Sequence, residues 1–154
     1  AGGVLIDVAT GDALSRGLCM PHSPRWYDGR LWLLESGRGA LCTVDPTTGA
    51  REDIARLPGF CRGIDFLGPV AFVGLSQRRG NASLADIPGI DDDAGGLAGI
   101  WAVHLRTGAI LASFRFGAEV REIFAVQALP GVLSPDIVPG GERLDTAYAL
   151  REAG

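Results

Sequence analysis

Asp7-Val8-Ala9-Thr10-Gly11-Asp12, Val44-Asp45-Pro46-Thr47-Thr48-Gly49-Ala50 and Val103-His104-Leu105-Arg106-Thr107-Gly108-Ala109 are three versions of one local signal, a Thr-Gly turn between short apolar runs. Gly supplies the positive φ that such a turn needs, and β-branched residues suit the flanking strands, so each version predicts a hairpin. Hairpins that recur along one chain predict a supersecondary unit copied several times, and the architecture that stacks such units is the β-propeller.

A second pattern lies between the turns. His22-Ser23-Pro24-Arg25-Trp26-Tyr27-Asp28-Gly29-Arg30-Leu31-Trp32-Leu33-Leu34-Glu35-Ser36 can be laid over Arg62-Gly63-Ile64-Asp65-Phe66-Leu67-Gly68-Pro69-Val70-Ala71-Phe72-Val73-Gly74-Leu75-Ser76 without a gap. Trp26 falls on Phe66 and Trp32 on Phe72, with Asp28-Gly29 and Gly68-Pro69 as the turns between them. Gly17-Leu18-Cys19 and Gly59-Phe60-Cys61 lead into the two copies, the first with Met20-Pro21 as an extra pair, and Gly117 to Phe124 opens a third in a similar way. Four strands are then expected near 22–27, 30–36, 39–45 and 50–56, and four more near 62–67, 70–76, 98–105 and 109–116. Residues 3–8 and 12–18 supply only the last two strands of a unit, and 119–128 only the first strand of another.

The expected fold is therefore all-β, a partial β-propeller of about three blade equivalents, with two complete four-stranded blades plus terminal half-blades. About four to eight blades are needed to close a ring, so completion by another chain is expected, through self-association as a homo-oligomer or through a missing propeller half. Two copies of about three blades each would make a ring of about six. Ala1 in place of Met suits a processed, truncated or engineered segment. The blades are assigned to residues 1–133, with an exposed, Gly- and Asp-rich insertion at 77–97. Residues 134–154 form a C-terminal tail in which Thr146 to Glu152 suit a short helix.

Composition narrows the function classes. The chain has 154 residues, 23 glycines and 9 prolines, a balance that suits many turns and few long helices. No apolar run approaches the roughly 20 residues of a membrane helix, and the start of the chain lacks the basic region of a signal peptide. All 14 basic residues are arginine and the formal net charge is -4, so neither Schiff-base lysine chemistry nor a Walker phosphate loop is possible within the chain. Without a basic cluster, a nucleic-acid partner is not expected. The cysteines, Cys19, Cys42 and Cys61, are odd in number, and reduced thiols in a cytoplasmic protein are expected. Cys19 and His22 have a Cys-x-x-His spacing but lack the further ligands of a zinc site, and Asp91-Asp92-Asp93 reads as a solvated loop rather than a calcium site, so no metal or cofactor is expected.

The start of each innermost strand lies at the rim of a propeller's channel, where side chains from all blades converge. The overlay puts His22, Arg62 and Arg121 at that position in successive blades, with Asp65, Glu119 and Glu122 close by. Arg offers a fork of donors and His titrates near neutrality, so these six residues form a candidate ligand-binding set for a polar or anionic molecule. The competing reading pairs the arginines with the acids across blades. Trp26, Trp32, Phe66, Phe72 and Trp101 are expected to pack between blades. Glu35, Ser36 and Ser76 are expected to cap turns, and a nucleophilic pair of Ser23 with His22 is disfavoured because adjacent strand residues face opposite ways.

The stretch Gly17 to Trp32, with Pro21-His22-Ser23-Pro24-Arg25-Trp26 at its centre, resembles the C-terminal half of a family of uncharacterised bacterial proteins about twice as long. Leu57 to Gly63, Phe72 to Ser76 and Glu122 to Gly131 extend the resemblance over nearly all of residues 3–133. The resemblance implies a propeller-like fold, and company with tetratricopeptide-repeat proteins in some members, but no reaction and no catalytic residues. The leading expectation is a non-catalytic binding or scaffold module whose channel mouth holds a ligand or protein partner. The alternative is a metal-dependent hydrolase of the lactonase-like propeller type, for which Asp65, Glu119 and Glu122 are the available carboxylates. A third expectation, a propeller fragment that self-assembles, would show in its mass in solution.

Overall fold

The computed structural model describes residues 2–77, 98–133 and 135. Among them are ten strands: β1 (Gly3–Ile6), β2 (Ala13–Leu18), β3 (Pro21–Tyr27), β4 (Arg30–Glu35), β5 (Ala40–Val44), β6 (Arg51–Arg56), β7 (Phe60–Leu67), β8 (Val70–Ser76), β9 (Gly99–His104) and β10 (Ile110–Arg115). They form a two-stranded sheet, β1-β2, and two four-stranded sheets, β3-β4-β5-β6 and β7-β8-β9-β10. Every pairing is antiparallel. A 3₁₀ turn, Ser36–Arg38, follows β4, and the described residues contain no α-helix. The protein is all-β, and its three sheets are consistent with a partial propeller-like arrangement. No helix among the described residues is long and apolar enough to cross a membrane. The expected insertion from Arg78 onward and the tail with its Thr146 to Glu152 segment lie outside the described residues, Pro135 excepted.

The three Thr-Gly turns share one hydrogen-bond pattern. In the first, the Asp7 carboxylate accepts from the Ala9 and Thr10 N–H groups at 2.7 and 3.3 Å. In the second, Asp45 accepts from Thr47 and Thr48 at 2.7 and 3.0 Å. In the third, the Nδ1 of His104 accepts from Arg106 at 3.2 Å, an imidazole standing where the other turns use a carboxylate. Gly11, Gly49 and Gly108 have φ of 77°, 73° and 68°, the left-handed region that disfavours side chains.

The second and third turns are also seats. A Cβ on Gly49 would overlap the carbonyl oxygen of Leu14 on β2, and a Cβ on Gly108 would overlap that of Ile54 on β6. Leu14 and Ile54 both stand at irregularities in their strand registers, where the bulge turns a carbonyl toward the neighbouring sheet. The backbone of each turn thus rests on the last strand of the sheet before it. A Cβ on Gly11, by contrast, would meet nothing within 4 Å among the described residues.

The overlay of β3-β4 on β7-β8 corresponds to shared geometry. Both inner pairs slip register within one residue of the same step, between His22 and Arg25 in one and between Cys61 and Ile64 in the other. Ser23 and Gly63, matched in the overlay, carry φ of 52° and 79° there. The Ser23 hydroxyl accepts from the Gly63 N–H at 3.3 Å and ties the two bulges together.

The sheets pack face to face. Trp32, Leu34 and Leu41 meet Cys61, Ile64, Phe66, Val73 and Trp101 in one core. Leu33, Cys42 and Val44, from the other face of the same sheet, meet Leu5 and Leu18 in a second. Tyr27 stacks on Phe66 with ring centroids 4.5 Å apart, and Trp32 lies 5.6 Å from the same ring. Trp26 corrects the expectation of aromatic burial: it is 63% exposed, whereas its counterpart Phe66 is 9% exposed. Phe66 has β3 and β4 beside it, but the sheet that faces Trp26 has only its two strands β1 and β2.

The expected closing strand at 119–128 is not a strand among the described residues, since it has no ladder partner to pair with. It runs instead along β7 and β8. The Arg121 carbonyl accepts from the Gln77 N–H at 2.8 Å, and the Ser76 hydroxyl accepts from the Ile123 N–H at 2.9 Å. Ala125 lies against the α-carbon of Gly63, with its own Cα 2.8 Å from where a Cβ would stand. Gly131, at φ 76°, then makes a turn in which the Val132 N–H donates to Leu129 at 3.2 Å.

Alanine at Gly11, Gly49 or Gly108 incurs the same conformational cost, roughly 1–2 kcal/mol. Gly49→Ala and Gly108→Ala add an overlap with a neighbouring carbonyl, so both are expected to destabilise clearly more than Gly11→Ala in chemical denaturation. Equal losses at the three positions would show that the turns are not seated. Trp32→Ala is expected to cost about 4 kcal/mol as a core truncation, and Trp26→Ala under about 1 kcal/mol as a surface change.

Candidate functional site

β3 and β7 lie side by side, and two of the expected rim residues stand near their starts, His22 second in β3 and Arg62 third in β7. His22 is held by two contacts from Nδ1, to the Met20 carbonyl at 3.0 Å and to the Ser36 hydroxyl at 2.8 Å. The carbonyl only accepts, so the Met20 contact calls for a hydrogen on Nδ1. The imidazole also meets Phe60 edge-on, with centroids 5.8 Å apart. Ser36 is fully buried, so it orients the ring. This serine-histidine contact joins residues 14 apart, and no spacing or motif signals it.

Arg62, half-buried, lies with its guanidinium carbon 4.3 Å from the centroid of the Phe124 ring. Among the described residues no carboxylate pairs with Arg62 or with Arg121. Arg121 is exposed and lies three residues before Phe124, with its backbone bound to Gln77. Asp65 is engaged by the closing segment: it accepts from the Ala128 N–H at 2.7 Å and from the Gln127 side chain at 2.8 Å. Glu119 is exposed, its carboxylate turned back on Gly117, and Glu122 is half-buried beside Ile123. His22 and Arg62 thus stand on strands that pack against each other, and Asp65 anchors the segment that carries Arg121. Among the described residues no group of three or more His, Cys, Asp and Glu side chains is arranged to hold a metal ion.

The largest charged cluster lies elsewhere. Glu35 is fully buried, and its carboxylate accepts from the Cys19 N–H at 2.8 Å, from Arg51 at 3.0 Å and from Arg38 at 2.5 Å. Arg38 continues to Asp53 at 2.8 Å, and Arg56 reaches the same carboxylate at 2.6 Å. This corrects the expectation that Glu35 caps a turn. The side chain fastens the β2–β3 connection to β4 and β6, and its partners Cys19 and Arg51 lie 16 residues away in sequence, too far to be found by spacing.

Burial, followed by the charges of Glu35 and Asp53, pushes the nearby Cys42 thiol up to about 12. Burial also raises Cys61, to which Cys42 adds. All three thiols are unpaired.

Glu35→Ala is expected to cost about 3 kcal/mol, the lower end for breaking a buried pair, because the arginines that it strands are part-exposed and can turn to water. Native protein treated with an alkylating reagent at neutral pH is expected to leave Cys42 and Cys61 unmodified. Their raised values also make stability alkali-sensitive. The thiols' contribution is fully present below about pH 8.5, where unfolded cysteine ionises, and is lost as pH rises toward the native values. Denaturation midpoints that stay flat between about pH 8 and 11 would contradict this.

No curated protein matches the chain. Residues 1–138 match a family described as a domain of unknown function (DUF4915), which covers both four-stranded sheets and the segment that closes over β7. The chain belongs to that family.

Proposed function

We propose that the chain is a β-propeller module, built from a repeated four-stranded blade and completed by another polypeptide, that binds a polar or anionic ligand or protein partner at the mouth of its central channel. His22 and Arg62 carry the contact, and Arg121 approaches from the closing segment, with Asp65, Glu119 and Glu122 shaping the surroundings. The observation that carries this reading is the Arg62 guanidinium, stacked on Phe124 and unpaired with any carboxylate among the described residues, on a strand that packs against the one carrying an imidazole fixed by Ser36. A stacked guanidinium keeps its edge donors available, and charge-assisted bonds from that edge suit a carboxylate or a phosphate. In a chain with a net charge of -4, an unneutralised cation at one rim also steers anions to that place. The unpaired thiols support a reducing, cytoplasmic setting.

Calorimetric titration with citrate and with inorganic pyrophosphate tests the reading. Binding is expected for at least one of them, weakened at least tenfold when His22→Ala, Arg62→Ala and Arg121→Ala are combined, with less loss for Arg62→Lys. Affinity unchanged in the triple variant would reject the site.

A further inference from the structure

We infer that Arg62 and Phe124 together select an anion carried on an aromatic ring, an aryl phosphate or an aryl carboxylate, and that Phe124 sets the preference for the ring. The inference rests on the reading above and narrows the class of ligand taken at that site.

The closing segment puts the Phe124 ring where it stands. Ala125 lies against Gly63, with its Cα 2.8 Å from where a Cβ would be, so the residues before them, Phe124 and Arg62, come side by side. The backbone on both sides of the ring is pinned. Ser76, buried, accepts from the Ile123 N–H at 2.9 Å and donates to the Ile123 carbonyl at 3.2 Å. The Gln77 N–H donates to the Arg121 carbonyl at 2.8 Å, and Asp65 accepts from the Ala128 N–H at 2.7 Å. Methyl groups of Ile123 and Val126 rest on Gly74, which has room for them because it lacks a Cβ. Phe124 itself is 60% exposed and belongs to neither core. Its backbone is fixed by the sheet, but its ring is not spent on packing.

One partner of that ring is a cation. The Arg62 guanidinium carbon is 4.3 Å from the ring centroid, and among the described residues no carboxylate neutralises it. A guanidinium on a ring keeps its edge donors for a carboxylate or a phosphate, which it holds through paired N–H bonds. The charge therefore chooses an anion, and the exposed remainder of the Phe124 ring chooses what the anion is attached to. A ring bonded directly to the oxyanion reaches Phe124 while the oxyanion holds the guanidinium. Aromatic pairs gain from offset or edge-on contact beyond the area that they bury. A saturated body of the same size buries similar area without that electrostatic gain. A bare inorganic anion uses the Arg62 edge alone and leaves the Phe124 ring in water.

Calorimetric titration with matched pairs, phenyl phosphate against cyclohexyl phosphate and benzoate against cyclohexanecarboxylate, separates the ring from its charge and size. The aromatic member of at least one pair is expected to bind about threefold to tenfold tighter, and the pair that shows the preference identifies the oxyanion. Phe124→Leu is expected to bring the members of that pair to equal affinity with the circular dichroism unchanged, whereas Arg62→Gln weakens both members alike. In the unsubstituted chain, the bound aryl anion is expected to give intermolecular nuclear Overhauser contacts to the Phe124 ring. Equal affinity within both pairs, a preference that survives Phe124→Leu, or the absence of those contacts overturns the inference. So does a Phe124 ring found covered by other residues of the chain. Binding of citrate or pyrophosphate without any aryl preference would keep the anion site and reject the selection by Phe124, whereas no binding of any of these anions would reject both.

Discussion

A sheet that is apolar on both faces must be covered twice, and β4 makes the β3-β6 sheet such a sheet. Its run Leu31-Trp32-Leu33-Leu34 sends Trp32 and Leu34 to one core and Leu33 to the other. Burial of large side chains is worth about 1.5–3 kcal/mol each, so neither face can be left to solvent cheaply. The β7-β10 sheet covers one face and β1-β2 covers the other, which fixes the order of the sheets and puts β3 and β7 side by side. The placement of every polar group discussed above follows from that stacking.

The polar groups divide by how much solvent they retain. Glu35 is inside, and it is tolerated there because a backbone N–H and two guanidinium groups satisfy its oxygens. Arg62 is at the edge of the stack, where an aromatic face supports it but no carboxylate among the described residues neutralises it. The first arrangement is structural, since its charges are consumed internally. The second leaves binding capacity, because a guanidinium against a ring still points its N–H groups outward.

The strands are legible in the sequence because their punctuation is local. The Thr-Gly turns and the Asp28-Gly29 and Gly68-Pro69 turns put the strand limits within about two residues of where they lie. Three features are not legible. Trp26 matches Phe66 in type and spacing, yet one is exposed and the other buried, because burial depends on what the facing sheet contains and not on the strand's own sequence. Residues 119–128 have the composition of a strand but leave a turn at Glu119 and run along β7 and β8 without a ladder, since a strand also needs a partner. The contacts of Glu35 with Cys19 and Arg51 and the Ser36–His22 contact join residues 14 to 16 apart with no periodicity to reveal them. Of the rim residues, the overlay pairs His22 with Arg62 by sequence, but the Phe124 ring over the Arg62 guanidinium joins residues 62 apart and is marked by no motif.

The most direct measurement is a nuclear Overhauser spectrum of the isotope-labelled chain. Face-to-face stacking of the sheets predicts cross-peaks between the Tyr27 and Phe66 rings, between Trp32 and Phe66, and between the Gly108 α-protons and the backbone of Ile54 and Ala55. Cross-peaks within each sheet without any between Tyr27 and Phe66 or between Gly108 and Ile54 would contradict that stacking.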